Sequence, residues 1–134
     1  MAAQLFTRCR KCTGNFAITG LTVTPAFLAK HPHVAQKVAN GLQKALNSIR
    51  TDREKALVLL VKRFPEIDRS VAKVALDRVI ADNILPHSLQ INEDAWNKAI
   101  RLRLDLGDLK DPKQFTSYVN NRFAKAAADA HASK

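Results

Sequence analysis

Cys9 and Cys12 are the residues whose type and spacing could most directly do chemistry, as two cysteines separated by two residues in a basic stretch. A structural zinc site needs four ligands, often supplied by two such pairs. The nearest histidines, His31 and His33, are separated by one residue instead of the usual three to five. A redox pair needs a helix directly after it and a βαβ context, and neither follows. We therefore interpret the pair as incidental, with metal binding and redox exchange as the alternatives.

Two further side chains could contact a ligand. Trp96 could stack on one, but its helical spacing from Ile100 favours a core position. His87 lies in a Pro-His-Ser turn and has no carboxylate at catalytic spacing, which favours a lone exposed histidine.

Three acidic residues surround a predicted helix end and could suggest a cation site. They straddle Gly107 and lack the glycine and glutamate placement of an EF-hand loop, which favours a solvated cap cluster. They are Asp105, Asp108 and Asp111. The sequence contains no nucleophile elbow, phosphate loop or His-Glu-x-x-His motif. We therefore predict no catalytic residue, no metal site and no cofactor, and we expect the chain not to be an enzyme.

Positive charge is concentrated in the first part of the chain. Residues 1–50 contain seven basic residues and no Asp or Glu, whereas the whole chain has a net charge of +10. Such a balance permits binding to nucleic acid or anionic lipid and also suits a plain cationic surface. We expect weak polyanion binding without sequence preference.

The chain is expected to be a soluble domain. No apolar run approaches the ~20 residues of a membrane span, since the longest is 56–61. Residues 1–12 lack the apolar segment of a secretory signal. As written, the sequence therefore predicts a cytoplasmic location.

Hydrophobic patterning predicts one β-strand followed by a row of helices. Residues 16–23 are rich in β-formers and are expected to form the strand. Thr24 and Pro25 then start a short helix over 25–30. The next helix follows Pro32, and its apolar stripe is Val34, Val38, Leu42, Ala45, Leu46 and Ile49. Gly41 is unfavourable inside such a helix and suggests that another element packs closely there.

Capping residues predict where the later helices begin. Thr51 and Glu54 form a capping box before a helix over 52–64 that should be buried on several sides. Asp68 and Asn92 cap the next two helices, and Gly107 ends the second. A final helix should start near 111–114 with Phe115, Tyr118, Val119 and Phe123 as its apolar face. These elements divide the chain into a poorly ordered basic arm (1–15), a helical body (16–124) and an alanine-rich frayed tail (125–134).

The order of these pieces resembles a known family. It runs through Thr-Pro, His-Pro-His-Val, Thr-Asp-Arg-Glu-x-Ala, Arg-Phe-Pro-Glu-Ile-Asp, Glu-Asp-Ala-Trp, Leu-Gly-x-Leu-Lys, and Asp-Pro-x-x-Phe followed by Tyr-Val-Asn-Asn-Arg-Phe. Over residues 17–124 it is similar to the C-terminal portion of the nitrate/sulfonate/taurine and thiamine-precursor family of ABC-transporter periplasmic substrate-binding proteins. The resemblance implies a mainly α chain, one N-terminal strand followed by about five helices, as in the C-terminal part of a two-lobed α/β type 2 periplasmic binding protein.

The resemblance also implies a function. The chain would be a fragment of the solute-binding component of an ABC importer for sulfonate, taurine, nitrate or a thiamine precursor, periplasmic by that likeness. Its partners would be a small-molecule solute and an ABC permease. The cleft edge would be Thr19, Gly20 and Thr22, whose hydroxyl and backbone donors suit a small anion, although threonine also simply suits a strand. Because the resemblance covers one part of one lobe, we expect no solute binding by this chain alone.

The alternative function belongs to a different class. The acid-free first fifty residues also suit a small basic helical protein that binds nucleic acid or an acidic partner, although no helix-turn-helix signature is present.

The expected strand would have unpaired edges, and the apolar face that should cover a sheet would be exposed. We therefore expect the isolated chain to be marginally stable or self-associating.

Overall fold

The computed structural model describes Ala17 and residues 20–131 of the 134-residue chain. Within those residues the chain forms seven helices and no β-strand. The helices are α1 (Pro25–Lys30), α2 (Pro32–Thr51), α3 (Arg53–Arg63), α4 (Arg69–Ala81), α5 (Glu93–Asp105), α6 (Phe115–Tyr118) and α7 (Arg122–His131).

The expected strand over 16–23 is wrong. Its described part, Ala17 and residues 20–23, is irregular. The Ala17 N–H donates to the Ala95 carbonyl at 3.3 Å, so its backbone bonds to a helix, and the described residues offer no second strand to pair with. One strand with about five helices, on the pattern of an α/β binding protein, is therefore replaced by seven helices without a sheet in this part of the chain. Phe16, Ile18 and Thr19 lie outside the described residues.

The helices fall into two compact units. The first comprises the described residues up to Lys30 together with Gln90–Asn121, and the second comprises His31–Leu89 with the chain from Arg122 onward. The first therefore holds α1, α5 and α6, and the second holds α2, α3, α4 and α7. Residues 125–131 of the alanine-rich segment lie in α7, and residues 132–134 lie outside the described residues.

Local capping explains most of the helix starts, and three of the predicted caps are confirmed. The Thr24 hydroxyl accepts from the Phe27 N–H at 3.1 Å at the start of α1. Asp68 accepts from the Ser70 N–H at 2.7 Å before α4. Asn92 accepts from the Ala95 N–H at 3.2 Å before α5. Each bond satisfies a backbone donor that has no partner within its helix.

The cap of α3 differs from the prediction by one residue. Asp52, not Thr51, accepts from the Lys55 N–H at 3.0 Å. Thr51 is the last residue of α2, and its hydroxyl donates back to the Asn47 carbonyl at 3.1 Å. Glu54 pairs with Arg69 instead of closing a capping box. Because α2 extends to Thr51, the residue that was predicted to cap α3 is instead the last residue of α2.

The second unit is held mainly by the contact of α2 with α7. The buried residues of α2 are Ala35, Ala39 and Gln43, and Ala127 of α7 is fully buried. Small side chains on both helices allow their backbones to approach closely. The helices are then held by many van der Waals contacts at short range and do not need large apolar side chains. The apolar stripe of α2 that begins at Val34 lies one step around the helix from this buried face, and its first three residues are partly exposed.

The final helix is also interrupted, contrary to the prediction of one helix with four apolar side chains on one face. The α6 helix ends at Tyr118, and α7 begins at Arg122. Between them, Asn121 bonds both backbone groups of Ile91, accepting from its N–H at 3.0 Å and donating to its carbonyl at 2.9 Å. This pair of bonds fixes the chain where a continuous helix was expected.

Candidate functional site

The described residues of the predicted cleft edge lie at the surface. Gly20 and Thr22 are exposed and irregular, and Thr19 lies outside the described residues. A Cβ placed on Gly20 would lie 3.7 Å from the Ile91 Cδ1 atom, an ordinary contact that requires no glycine. The two grooves described below are built from other residues.

The other candidates that the structure describes do not gather into one cluster of possible metal ligands. Cys9 and Cys12 lie outside the described residues. His87 is exposed, and its Nε2 lies 3.3 Å from the Asn83 Oδ1. Asp108 pairs with Arg103 at 2.8 Å. Nowhere in the described residues do three acidic, histidine or cysteine side chains come together as metal ligands would.

Trp96 is anchored by its indole N–H. It is half-buried, its Nε1 donates to the Lys113 carbonyl at 2.8 Å, and its ring stacks on Tyr118 at 6.1 Å between centroids. Tyr118 is 61% exposed. The pair joins α5 to α6, so Trp96 acts in packing, and Tyr118 covers it from the solvent side.

A small charged groove of about 220 Å³ lies between α3 and α4. Asp77 lines it, and its carboxylate lies 2.8 Å from the Lys73 ammonium and 3.7 Å from the Arg53 guanidinium. The hydrogen bond from Lys73 lowers the pKa of Asp77, and the charges of Lys73 and Arg53 act in the same direction. A carboxylate held ionised by two cations is a poor proton acceptor, so the groove suits electrostatic attachment of two helices better than acid–base chemistry.

A larger groove of about 360 Å³ lies on the same unit, among α2, α3 and α4. Its floor is apolar and its rim is charged. The apolar floor residues are Ala45, Ile49, Ala56, Leu59, Leu60, Phe64 and Leu76. The rim carries Asp52, Lys55 and Arg63, and the Arg63 guanidinium lies 5.5 Å from the Phe64 ring centroid.

Sequence reasoning missed this groove because it placed the same side chains in the interior. Residues 56–61 were expected to be buried on several sides, yet Leu57 alone among the residues of α3 is buried. Leu59 is 57% exposed. A helix that is apolar nearly all round signals that every face has a partner, and for α3 one face has none among the described residues. The continuous apolar run was therefore the available signal for a binding surface.

The described helices include none with the length and apolar character that a membrane span requires. No known protein family, curated protein or solved structure matches the chain.

Proposed function

We propose that the chain is part of the solute-binding component of an ABC-type importer for small organic anions, in which these helices serve as scaffold. The resemblance rests on an ordered set of short motifs. The observation that supports the proposal is that these motifs supply the contacts that fix the helices. Thr24 and Asp68 are caps, the Trp96 indole bonds α5 to the Lys113 carbonyl, and Asn121 bonds both backbone groups of Ile91.

A scaffold role also fits the exposed position of the expected cleft edge. A small anion is held by convergent donors and by exclusion of water. Gly20 and Thr22 are exposed and offer few donors. Net hydrogen-bond contributions of about 1 kcal/mol each do not offset the cost of immobilising a ligand. Most solute contacts would then come from another part of the component.

Uptake by whole cells tests this proposal. Deleting the gene in its host should lower uptake of at least one labelled solute among taurine, an alkanesulfonate, nitrate and a thiamine-precursor pyrimidine. A plasmid copy should restore uptake, and so should a copy carrying Asn97→Ala, an exposed position on α5. A copy carrying Asn121→Ala should restore it less, because the clamp on Ile91 is lost. Unchanged uptake of all four solutes after deletion would refute the importer role.

Calorimetric titration of the purified chain with the same solutes tests the scaffold part separately. We expect no measurable heat of binding. A dissociation constant in the micromolar range would show that the chain forms a solute cleft of its own.

A second candidate function is nonspecific polyanion binding, which the charge pattern favours. Residues 20–51 contain four cations and no carboxylate. Lys37 and Lys44 are exposed and two turns apart on α2. Retardation of DNA at low salt, lost steeply as salt rises, is the expected result. Replacing Arg8, Arg10 and Lys11 with serine should remove much of it, and tight sequence-selective binding at physiological salt would contradict the nonspecific character.

A further inference from the structure

The α2 helix presents a second apolar face whose side chains stay partly exposed. Val34, Val38 and Leu42 are 36%, 40% and 45% exposed. The same face continues through Ala45 to Ile49, which line the larger groove. These positions follow one another at spacings of three and four residues, which keeps them on one side of a helix. The stripe and the groove therefore form one continuous apolar surface, which we call the α2 surface.

Gly41 lies in the middle of the α2 surface. It is exposed, and a Cβ added there would meet nothing within 4 Å. Glycine in a helix interior costs about 1 kcal/mol relative to alanine, and no contact within the described residues offsets that cost. A glycine at such a site allows another backbone to approach closely.

The edge of the α2 surface is cationic. Lys37 and Lys44 follow its length on one side, and Lys55 and Arg63 stand at the groove. No ion pair forms at these four residues within the described part of the chain. The α2 helix contains no acidic residue. Asp52, the one carboxylate on the rim, already caps α3.

We propose that the α2 surface is a docking site for an amphipathic helix with acidic residues along one edge, supplied by a partner protein. From Val34 to Ile49 the surface spans roughly 22 Å at 1.5 Å per residue, which matches the apolar face of about four helical turns. The partner's apolar side chains occupy the groove, its backbone passes over Gly41, and its carboxylates face Lys37 and Lys44. This docking site does not depend on the importer role.

Charge and shape favour this occupant over two others. A second copy of the chain would carry the same lysines, Lys37 and Lys44, beside this surface and the same overall net charge of +10, so the two copies would repel each other. A bilayer surface is flat, whereas the end of the α2 surface is a groove of about 360 Å³ that receives a convex ridge of side chains. A helix with carboxylates on one edge satisfies both the shape and the charge.

Fluorescence anisotropy with the full chain and a labelled synthetic peptide tests the proposal. The probe is a helix-forming peptide of roughly eighteen residues, with leucines at helical spacing and glutamates on one edge. Micromolar affinity is expected at moderate salt. The same peptide with lysine in place of every glutamate should bind at least about tenfold more weakly, a loss of about 1.4 kcal/mol.

Matched variants locate the site. Val38→Asp on the α2 surface should weaken binding of the glutamate peptide by at least about tenfold. Val74→Asp makes the same change at an exposed valine of α4 outside both grooves and should leave the affinity unchanged. Gly41→Leu should raise the melting temperature, because leucine favours the helix, and should still weaken binding by blocking close approach. A variant that is more stable yet binds less separates docking from folding.

Four results would overturn the proposal. The first is no binding of the glutamate peptide at a hundred micromolar. The second is equal losses for Val38→Asp and Val74→Asp. The third is sedimentation as a dimer at micromolar concentration that Val38→Asp abolishes, which would assign the surface to a second copy. The fourth is co-sedimentation with phosphatidylserine vesicles that Val38→Asp abolishes while the peptide does not bind, which would assign it to a membrane.

Discussion

Two helix pairs within one unit are joined by different physical means. The contact of α2 with α7 is built from alanines and from amide side chains that bond to backbone carbonyls. Gln36 donates to the Phe123 carbonyl at 3.1 Å, and Asn47 donates to the His131 carbonyl at 3.4 Å. The contact of α3 with α4 is instead bridged by exposed ion pairs, including that of Glu54 with Arg69.

This difference indicates which helix pair we expect to stabilise the unit and which we expect to leave a surface for recognition. Close packing of small side chains depends little on salt. Exposed ion pairs contribute little and weaken as salt rises. The first pair should therefore carry most of the cooperative stability of the unit, while the second pair leaves apolar side chains accessible in the adjoining groove. Substitutions that act on one pair and spare the other test this division.

The largest effect is expected from filling the α2–α7 contact. Ala127 is fully buried, so Ala127→Leu adds side-chain volume where none is free and should lower the free energy of unfolding by about 1–3 kcal/mol. Ala126→Leu makes the same change at the neighbouring exposed residue of α7 and should change it by less than about 0.5 kcal/mol. Urea unfolding followed by circular dichroism measures both. Equal effects of the two variants would show that α7 is not closely packed.

Gln43 should produce the next largest effect. It is 3% exposed, and its Nε2 donates to the Asn47 Oδ1 at 3.1 Å and to the His87 carbonyl at 3.0 Å. Its Oε1 is buried without a hydrogen-bond partner among the described residues. Gln43→Leu removes that costly acceptor but leaves the His87 carbonyl unbonded, so a net loss of about 1 kcal/mol is expected.

The control for Gln43 is Gln36→Leu. Gln36 also makes two amide hydrogen bonds on α2, but it is only half-buried. Water can replace its bonds, and the loss in the same urea titration should be smaller. A larger loss of unfolding free energy for Gln36→Leu than for Gln43→Leu would mean that burial does not determine how much these hydrogen bonds contribute to stability.

Features fixed by neighbouring residues could be predicted from the sequence. Thr24, Asp68 and Asn92 each bond a backbone N–H within three residues. Gly107 ends α5 with a φ of 77°, a conformation that glycine adopts without strain. Such interactions depend on residue type and spacing alone, so they can be predicted without knowing how the helices pack.

Features that depend on distant partners could not be predicted. The pattern on α2 revealed an apolar stripe from Val34, but whether that stripe or the face with Ala35 is buried depends on where α7 packs. The expected strand does not form, because residues that favour β-structure adopt it only where a neighbouring strand pairs with them. The expected cleft edge at Gly20 and Thr22 depended on that strand. The break before α7 depends on Asn121 bonding Ile91, thirty residues away.

A smaller, pH-dependent effect is expected at the cap of α4. The side-chain and backbone hydrogen bonds from Ser70 lower the pKa of Asp68 in the folded state. Its contribution to stability is therefore complete above the unfolded-state pKa of about 3.9, and it is lost as the pH falls through the folded pKa. Asp68→Ala should lower stability at neutral pH, whereas Asp68→Asn should keep most of the cap and flatten the acid dependence. Parallel acid profiles for wild type and Asp68→Asn would contradict this assignment.

The smallest effect should come from the ion pair between α3 and α4. The side chains of Glu54 and Arg69 are 71% and 52% exposed, so solvent screens their attraction and the coupling energy should be below about 1 kcal/mol. A double-mutant cycle with Glu54→Ala and Arg69→Ala isolates that term from the other losses. The coupling should fall further when the ionic strength is raised to about 1 M, where the screening length is about 3 Å. A coupling as large as the loss from Ala127→Leu, or one that is unchanged in high salt, would mean that charge holds this unit together as firmly as close packing does.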